Sequence, residues 1–104
     1  MAWVYLLAAG FLEIGWAVGL KMTDGFTRPL ASVLTVACMI ASFGFLSLAL
    51  RHLPMGTAYA VWTGIGIVGT TLVGIWLFGD QASAMRLGSI ALIISGIVGL
   101  KLVA

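Results

Sequence analysis

The chain has 104 residues, of which 62 % are hydrophobic and only 8 % charged, with 14 glycines and a mean hydropathy of +1.22, whereas soluble domains carry roughly 25 % charged residues. This excludes an ordinary water-soluble enzyme domain. The net charge of +2 is spread over single residues without a basic run, which excludes a phosphate-tracking surface for nucleic acid.

A membrane crossing takes about 20 apolar residues, so four crossings account for most of the chain. The first apolar segment predicts a helix over 3–20. It has no positively charged leader and it contains Glu13, so it reads as a retained span and not as a secretory signal. Lys21 to Pro29 form a loop, with a turn at Gly25 and a proline placed to start the next helix. A second helix is predicted over 30–50, and Arg51-His52-Leu53-Pro54 leaves room only for a tight turn between antiparallel neighbours. The third covers 55–78 and is followed by Gly79-Asp80-Gln81 and a polar stretch to Arg86. The fourth covers 85–102 and spans only if Arg86 and Lys101 extend their side chains to the interface. Segments of this length suit helices and not the strands of a membrane barrel. The expected fold is a single all-α membrane domain, 1–104, of four transmembrane helices. Cys38, in mid-span, reads as a buried thiol, and His52 as a plain interfacial polar residue.

Positive residues decide membrane orientation, and here they barely do. One side holds Arg51 and Lys101, the other Lys21, Arg28 and Arg86. Two readings stay open: a topology set by another feature, or insertion in both directions with antiparallel pairing.

Glu13 is the one charged residue deep inside a span. At 1.5 Å per residue it lies about 15 Å from the start of its helix and about 10 Å from its end, near the bilayer midplane. An ionisable group there costs about 2.5–3.5 kcal/mol on insertion scales and usually faces a cavity, marking an ion or proton pathway. Its neighbours at helical spacing are Ala9, Gly10 and Ala17, which are small, and Trp16, so an open space beside the acid and an aromatic wall are expected. Ser42 lies at similar depth in the second helix, as a candidate donor to the carboxylate. Tyr59, Trp62, Thr63 and Gly66 share a face of the third helix, where the aromatic rings can offer a π face to a cation. Gly64-Ile-Gly66-Ile-Val-Gly69 matches a dinucleotide-binding string but lies inside an apolar run instead of a strand-to-helix turn, so that reading fails. Gly64 and Gly66 read instead as a kink. Ser89 and Gly96 share a face of the fourth helix suited to close helix packing.

One acid among four helices hardly encloses a pathway. Many transporters use two inverted repeats around a midplane site. No internal repeat is present here, but two oppositely inserted copies supply the same symmetry and bring two Glu13 residues together. Coupled carboxylates of this kind bind protons or a cation in competition, which is the linkage of an antiporter.

The central acid, WAVGLK at 16–21, DGFTR at 24–28 and LPMGTAYAVWTGIG at 53–66 resemble the small multidrug resistance family along the whole chain, and within it the guanidinium-exporting branch. The resemblance implies an antiparallel, dual-topology homodimer, an eight-helix bundle in a bacterial inner membrane, that exchanges protons for guanidinium. It implies Glu13 as the shared proton and substrate ligand, Ser42 as its hydrogen-bond partner, and Gly10, Trp16, Tyr59 and Trp62 as site lining. Gly64 and Gly66 match the family's helix kink, and Ser89 and Gly96 its dimer contact. Gly10 and Trp16 favour the guanidinium branch, since the multidrug branch tends to have a small residue at the tryptophan position and a tyrosine where this chain has Met39. Gly79-Asp80 departs from the pattern, where glutamate is more usual. The implied partners are guanidinium, protons, the lipid bilayer and a second copy of the chain. No catalytic group, cofactor, metal or nucleic acid is expected. Competing readings are export of bulky quaternary ammonium or aromatic cations, a non-transporting accessory subunit, and a heterodimer with a related partner.

Overall fold

A computed structural model describes residues 1–103. They form four α-helices: α1 (Ala2–Met22), α2 (Pro29–Leu50), α3 (Met55–Leu77) and α4 (Ala84–Val103). Each helix is long and apolar enough to cross a membrane.

Local chemistry sets the ends. Pro29 starts α2 after an extended Arg28, where the missing N–H of a proline costs no helical bond. Pro54 instead stands at the N-cap of α3, its carbonyl accepting from the Ala58 N–H at 3.0 Å. Ser83 caps α4, its Oγ accepting from the Arg86 N–H at 3.1 Å, which satisfies one of the orphan amides of the first turn. The α1–α2 loop winds around buried Thr23, whose hydroxyl donates to the Leu20 carbonyl at 2.7 Å and accepts from the Phe26 N–H at 3.2 Å.

The helices do not form a closed bundle. α1 packs against both α2 and α3, while α4 attaches to α3 at the edge. The molecule measures 42 × 35 × 16 Å, a flat slab. Much of the apolar surface is therefore uncovered. Phe11, Ile40 and Leu92, all in mid-helix, are 66, 68 and 75 % exposed, an arrangement that suits lipid and not water.

The core is concentrated at one end. Leu6, Ala9, Ala49, Ala58, Val61 and Trp62 form it, with Trp3, Tyr5, Phe45, Leu46, Leu53 and Leu100 packed around them. These residues come from the start of α1, the end of α2 and the turn after it, the start of α3 and the end of α4. Towards the opposite end the helices leave grooves. One, between α1 and α2, is lined by Gly15, Gly19, Thr35 and Cys38. Cys38 is half-buried there, since its neighbour Gly15 has no side chain to cover it.

Candidate functional site

Glu13 lies where the packed half of the slab gives way to the grooved half. It shares a groove of about 260 Å³ with Trp16 and Ala17 of α1 and Thr63, Gly66, Ile67 and Thr70 of α3. Its Oε1 and the Trp16 Nε1 are both buried without a hydrogen-bond partner. One is an acceptor and the other a donor, and a buried polar atom left unpaired is destabilising by roughly 1–3 kcal/mol.

The carboxylate is brought into place by α3. A Cβ at Gly66 would collide with Glu13 Oε1, so the acid rests on bare helix backbone. The same string of glycines supplies two further seats. Gly64 lies under Ile97 of α4, whose Cδ1 is 2.7 Å from where a Cβ would stand, and Gly69 receives Ile14 of α1. α3 is helical without a break through all three. What these residues provide is room for side chains from α4 and α1.

Gly10 does not border the Glu13 groove of this protomer. It is buried, and a Cβ on it would meet Ile65 Cγ2 of α3 at 2.8 Å. The space above Gly10 is filled by that isoleucine, and the open space beside Glu13 lies on the Ala17 side instead.

Ser42 is fully buried, but its hydroxyl is not aimed at the acid. It donates to the Ala9 carbonyl at 2.7 Å and accepts from the Trp62 indole N–H at 3.0 Å. Ala9 is one turn before Glu13, so Ser42 fixes the backbone that carries the acid and the ring that stands near it. The expected direct bond from Ser42 to Glu13 is not made here because the single hydroxyl proton is already engaged.

The aromatic residues form a chain. Trp16 meets Phe43 edge-on at 6.2 Å between centroids, Phe43 meets Trp62 at 5.8 Å, and Trp62 meets Tyr59 at 5.6 Å. Such geometries are favourable for aromatic pairs. Tyr59 is 58 % exposed and Trp62 only 7 %, so the ring nearer the membrane edge is the open one. Phe43, which links the two tryptophans, was not singled out by sequence reasoning. Neither was Thr70, whose hydroxyl donates to the Gly66 carbonyl at 2.7 Å. Ser89 and Gly96 lie outside this site altogether, on the exposed face of α4.

Residues 1–93 match the family described as Small Multidrug Resistance protein. A relative named guanidinium exporter from Citrobacter freundii is 59 % identical over 102 residues, covering 98 % of this chain and 97 % of its own. Relatives of the same name from Proteus vulgaris and Escherichia coli (strain K12) are each 58 % identical over 102 residues, covering 98 % of this chain and 98 % and 97 % of their own. The chain belongs to the small multidrug resistance family and is a multi-pass protein of the bacterial inner membrane.

Proposed function

We propose that this protein exports guanidinium in exchange for protons, as an antiparallel homodimer with Glu13 as the shared ligand. The observation that carries the reading is the single mid-span carboxylate, with one buried oxygen unpartnered, in a groove beside an unpartnered indole N–H.

Guanidinium suits those groups. It is planar, presents paired N–H donors that match the two oxygens of a carboxylate, and is more weakly hydrated than an ammonium. The nearby indole and phenyl faces favour a delocalised cation. A proton and guanidinium both bind the same carboxylate, so each displaces the other.

Residues of α1 and α3 alone line the Glu13 groove, which leaves it without a cover on its open side. A second copy inserted the other way supplies it and makes two equivalent half-sites about a midplane axis, the symmetry on which alternating access depends. Two Glu13 residues then titrate as a pair. The near balance of positive residues between the two faces supports insertion in both directions.

The test is a flux assay on purified protein in liposomes. An outward guanidinium gradient is expected to drive protons inward, and Glu13→Gln to abolish the coupled flux while the protein remains folded. Transport of a large aromatic cation without guanidinium would replace this reading with multidrug export. Intact activity in Glu13→Gln would end it in favour of an accessory role.

A further inference from the structure

The Glu13 groove does not stop at the midplane. Ala17 and Thr70, which line it, also line a second cavity of about 140 Å³ with Val18, Lys21, Gly74, Phe78 and Asp80. On α1 the residues Glu13, Ala17 and Lys21 follow one another at intervals of four, on one face. On α3 the facing residues are Gly66, Thr70 and Gly74. The two stripes bound one furrow that runs about 12 Å along α1 from Glu13 to Lys21 and ends at the membrane surface.

The mouth of this furrow already holds a cation on an aromatic face. Lys21 Nζ stands 4.5 Å from the centroid of the Phe78 ring. Asp80 closes the other side. Its N–H donates to the Gly74 carbonyl at 3.1 Å, and its Oδ2 lies so near Gly74 that a Cβ there would collide with it. A carboxylate and a π face therefore flank one small cavity that leads to the central acid. The ammonium occupying it belongs to the chain itself.

We infer that Phe78 and Asp80 form an outer docking site for the transported cation, with the Lys21 ammonium as the tethered cation that it displaces. The inference rests on the guanidinium-exchange reading. Guanidinium stacks on an aromatic ring as a flat delocalised ion and pairs with a carboxylate through two donors, whereas lysine offers a compact, strongly hydrated point charge. An arriving guanidinium thus competes well for the ring. Once displaced, Lys21 leaves the furrow open towards Thr70 and Glu13, and it returns when the cation has moved inward. In an antiparallel pair each membrane face receives one such mouth.

An outer site of this kind acts on capture, not on the final equilibrium at Glu13. Initial rates of guanidinium-driven proton movement are to be measured in liposomes across guanidinium concentrations, at low and high salt. Asp80→Asn is expected to raise the half-saturating concentration roughly threefold to tenfold at low salt, with the maximal rate little changed. The difference shrinks at high salt as the charge is screened. Asp80→Glu restores the wild-type value, and Lys21→Gln lowers it by removing the competitor. Equilibrium guanidinium binding, followed by tryptophan fluorescence, stays as in the wild type in Asp80→Asn.

Wild-type half-saturation in Asp80→Asn, with guanidinium flux present in the unmodified protein, overturns the outer site and leaves the exchange function standing. A fall in maximal rate alone, or a parallel loss of equilibrium binding, also overturns it and makes Asp80 a structural cap of α3. Absence of guanidinium flux in the unmodified protein overturns the exchange reading and the outer site together.

Discussion

The carboxylate of Glu13 rests directly on the backbone of Gly66, at a position where a side chain on α3 would displace it. Alanine at 66 is a better helix former than glycine, so Gly66→Ala is expected to keep the helix and push the acid away. Small misplacements of a reacting group carry large rate penalties, and the guanidinium exchange rate should fall by roughly tenfold or more. Initial rates in liposomes, with helical content checked by circular dichroism, decide the matter. Wild-type rates would mean that the acid does not use this seat during transport.

Ser42 joins three elements through one hydroxyl, holding the Ala9 carbonyl of α1 and the Trp62 indole of α3 from its own place on α2. Ser42→Ala leaves the buried indole N–H without a partner, a loss of roughly 1–3 kcal/mol. Trp62→Phe removes the donor itself. Because the two changes break the same bond, the double variant should be more stable than the sum of the single effects predicts, by about 1 kcal/mol. Thermal unfolding of the four proteins in detergent measures this coupling, and strict additivity would show that the bond contributes nothing.

Much of this was legible because charges are so scarce. A chain with 8 % charged residues makes its one mid-span acid conspicuous, and four long apolar runs leave little freedom in the fold. Depth along a helix was readable too, which placed Ser42 level with Glu13. Rotation about the helix axes was not. That is why the direction of the Ser42 hydroxyl, the isoleucine seated over Gly10 and the pairing of Glu13 with Gly66 emerge only from the packed structure. Phe43 was hidden for another reason: among so many apolar residues, nothing local distinguishes a ring between two tryptophans from one facing lipid.

Phe43 separates the Trp16 ring from the Trp62 ring while touching both edge-on. Phe43→Leu preserves an apolar side chain but removes both ring contacts, each worth about 0.5–1.5 kcal/mol beyond area burial. If the aromatic chain positions Trp16 against the Glu13 groove, the half-saturating guanidinium concentration should rise roughly threefold, with a change in tryptophan emission. Unaltered half-saturation would confine Phe43 to packing.

The near-even distribution of positive residues bears on insertion. With Arg51 and Lys101 facing one way and Lys21, Arg28 and Arg86 the other, small additions should tip the balance, because the count in short loops sets orientation. A reporter at the C-terminus is expected on both faces of the membrane. Two extra lysines in the short loop at Arg51 should collect that end on the cytoplasmic face and reduce activity, with recovery when an oppositely biased copy is co-expressed. A reporter found on one face only in the unmodified chain would reject dual insertion.

α4 is the least covered helix, with Ile90 its only buried residue among those described. Ser89 and Gly96 lie on its exposed side, and a Cβ at Gly96 meets nothing within 4 Å. Lipid tails gain nothing from small residues, whereas another helix gains close backbone approach. Gly96→Leu therefore leaves the protomer unstrained and obstructs only a partner lying against that face. The proposed dimer should weaken by tenfold or more, which corresponds to about 1.4 kcal/mol, while the helical content of each protomer is retained. Single-molecule photobleaching in liposomes of decreasing protein density reads the dimer fraction directly. If Gly96→Leu dimerises as well as the wild type, the Ser89–Gly96 face belongs to lipid, and the two copies meet through the Glu13 groove alone.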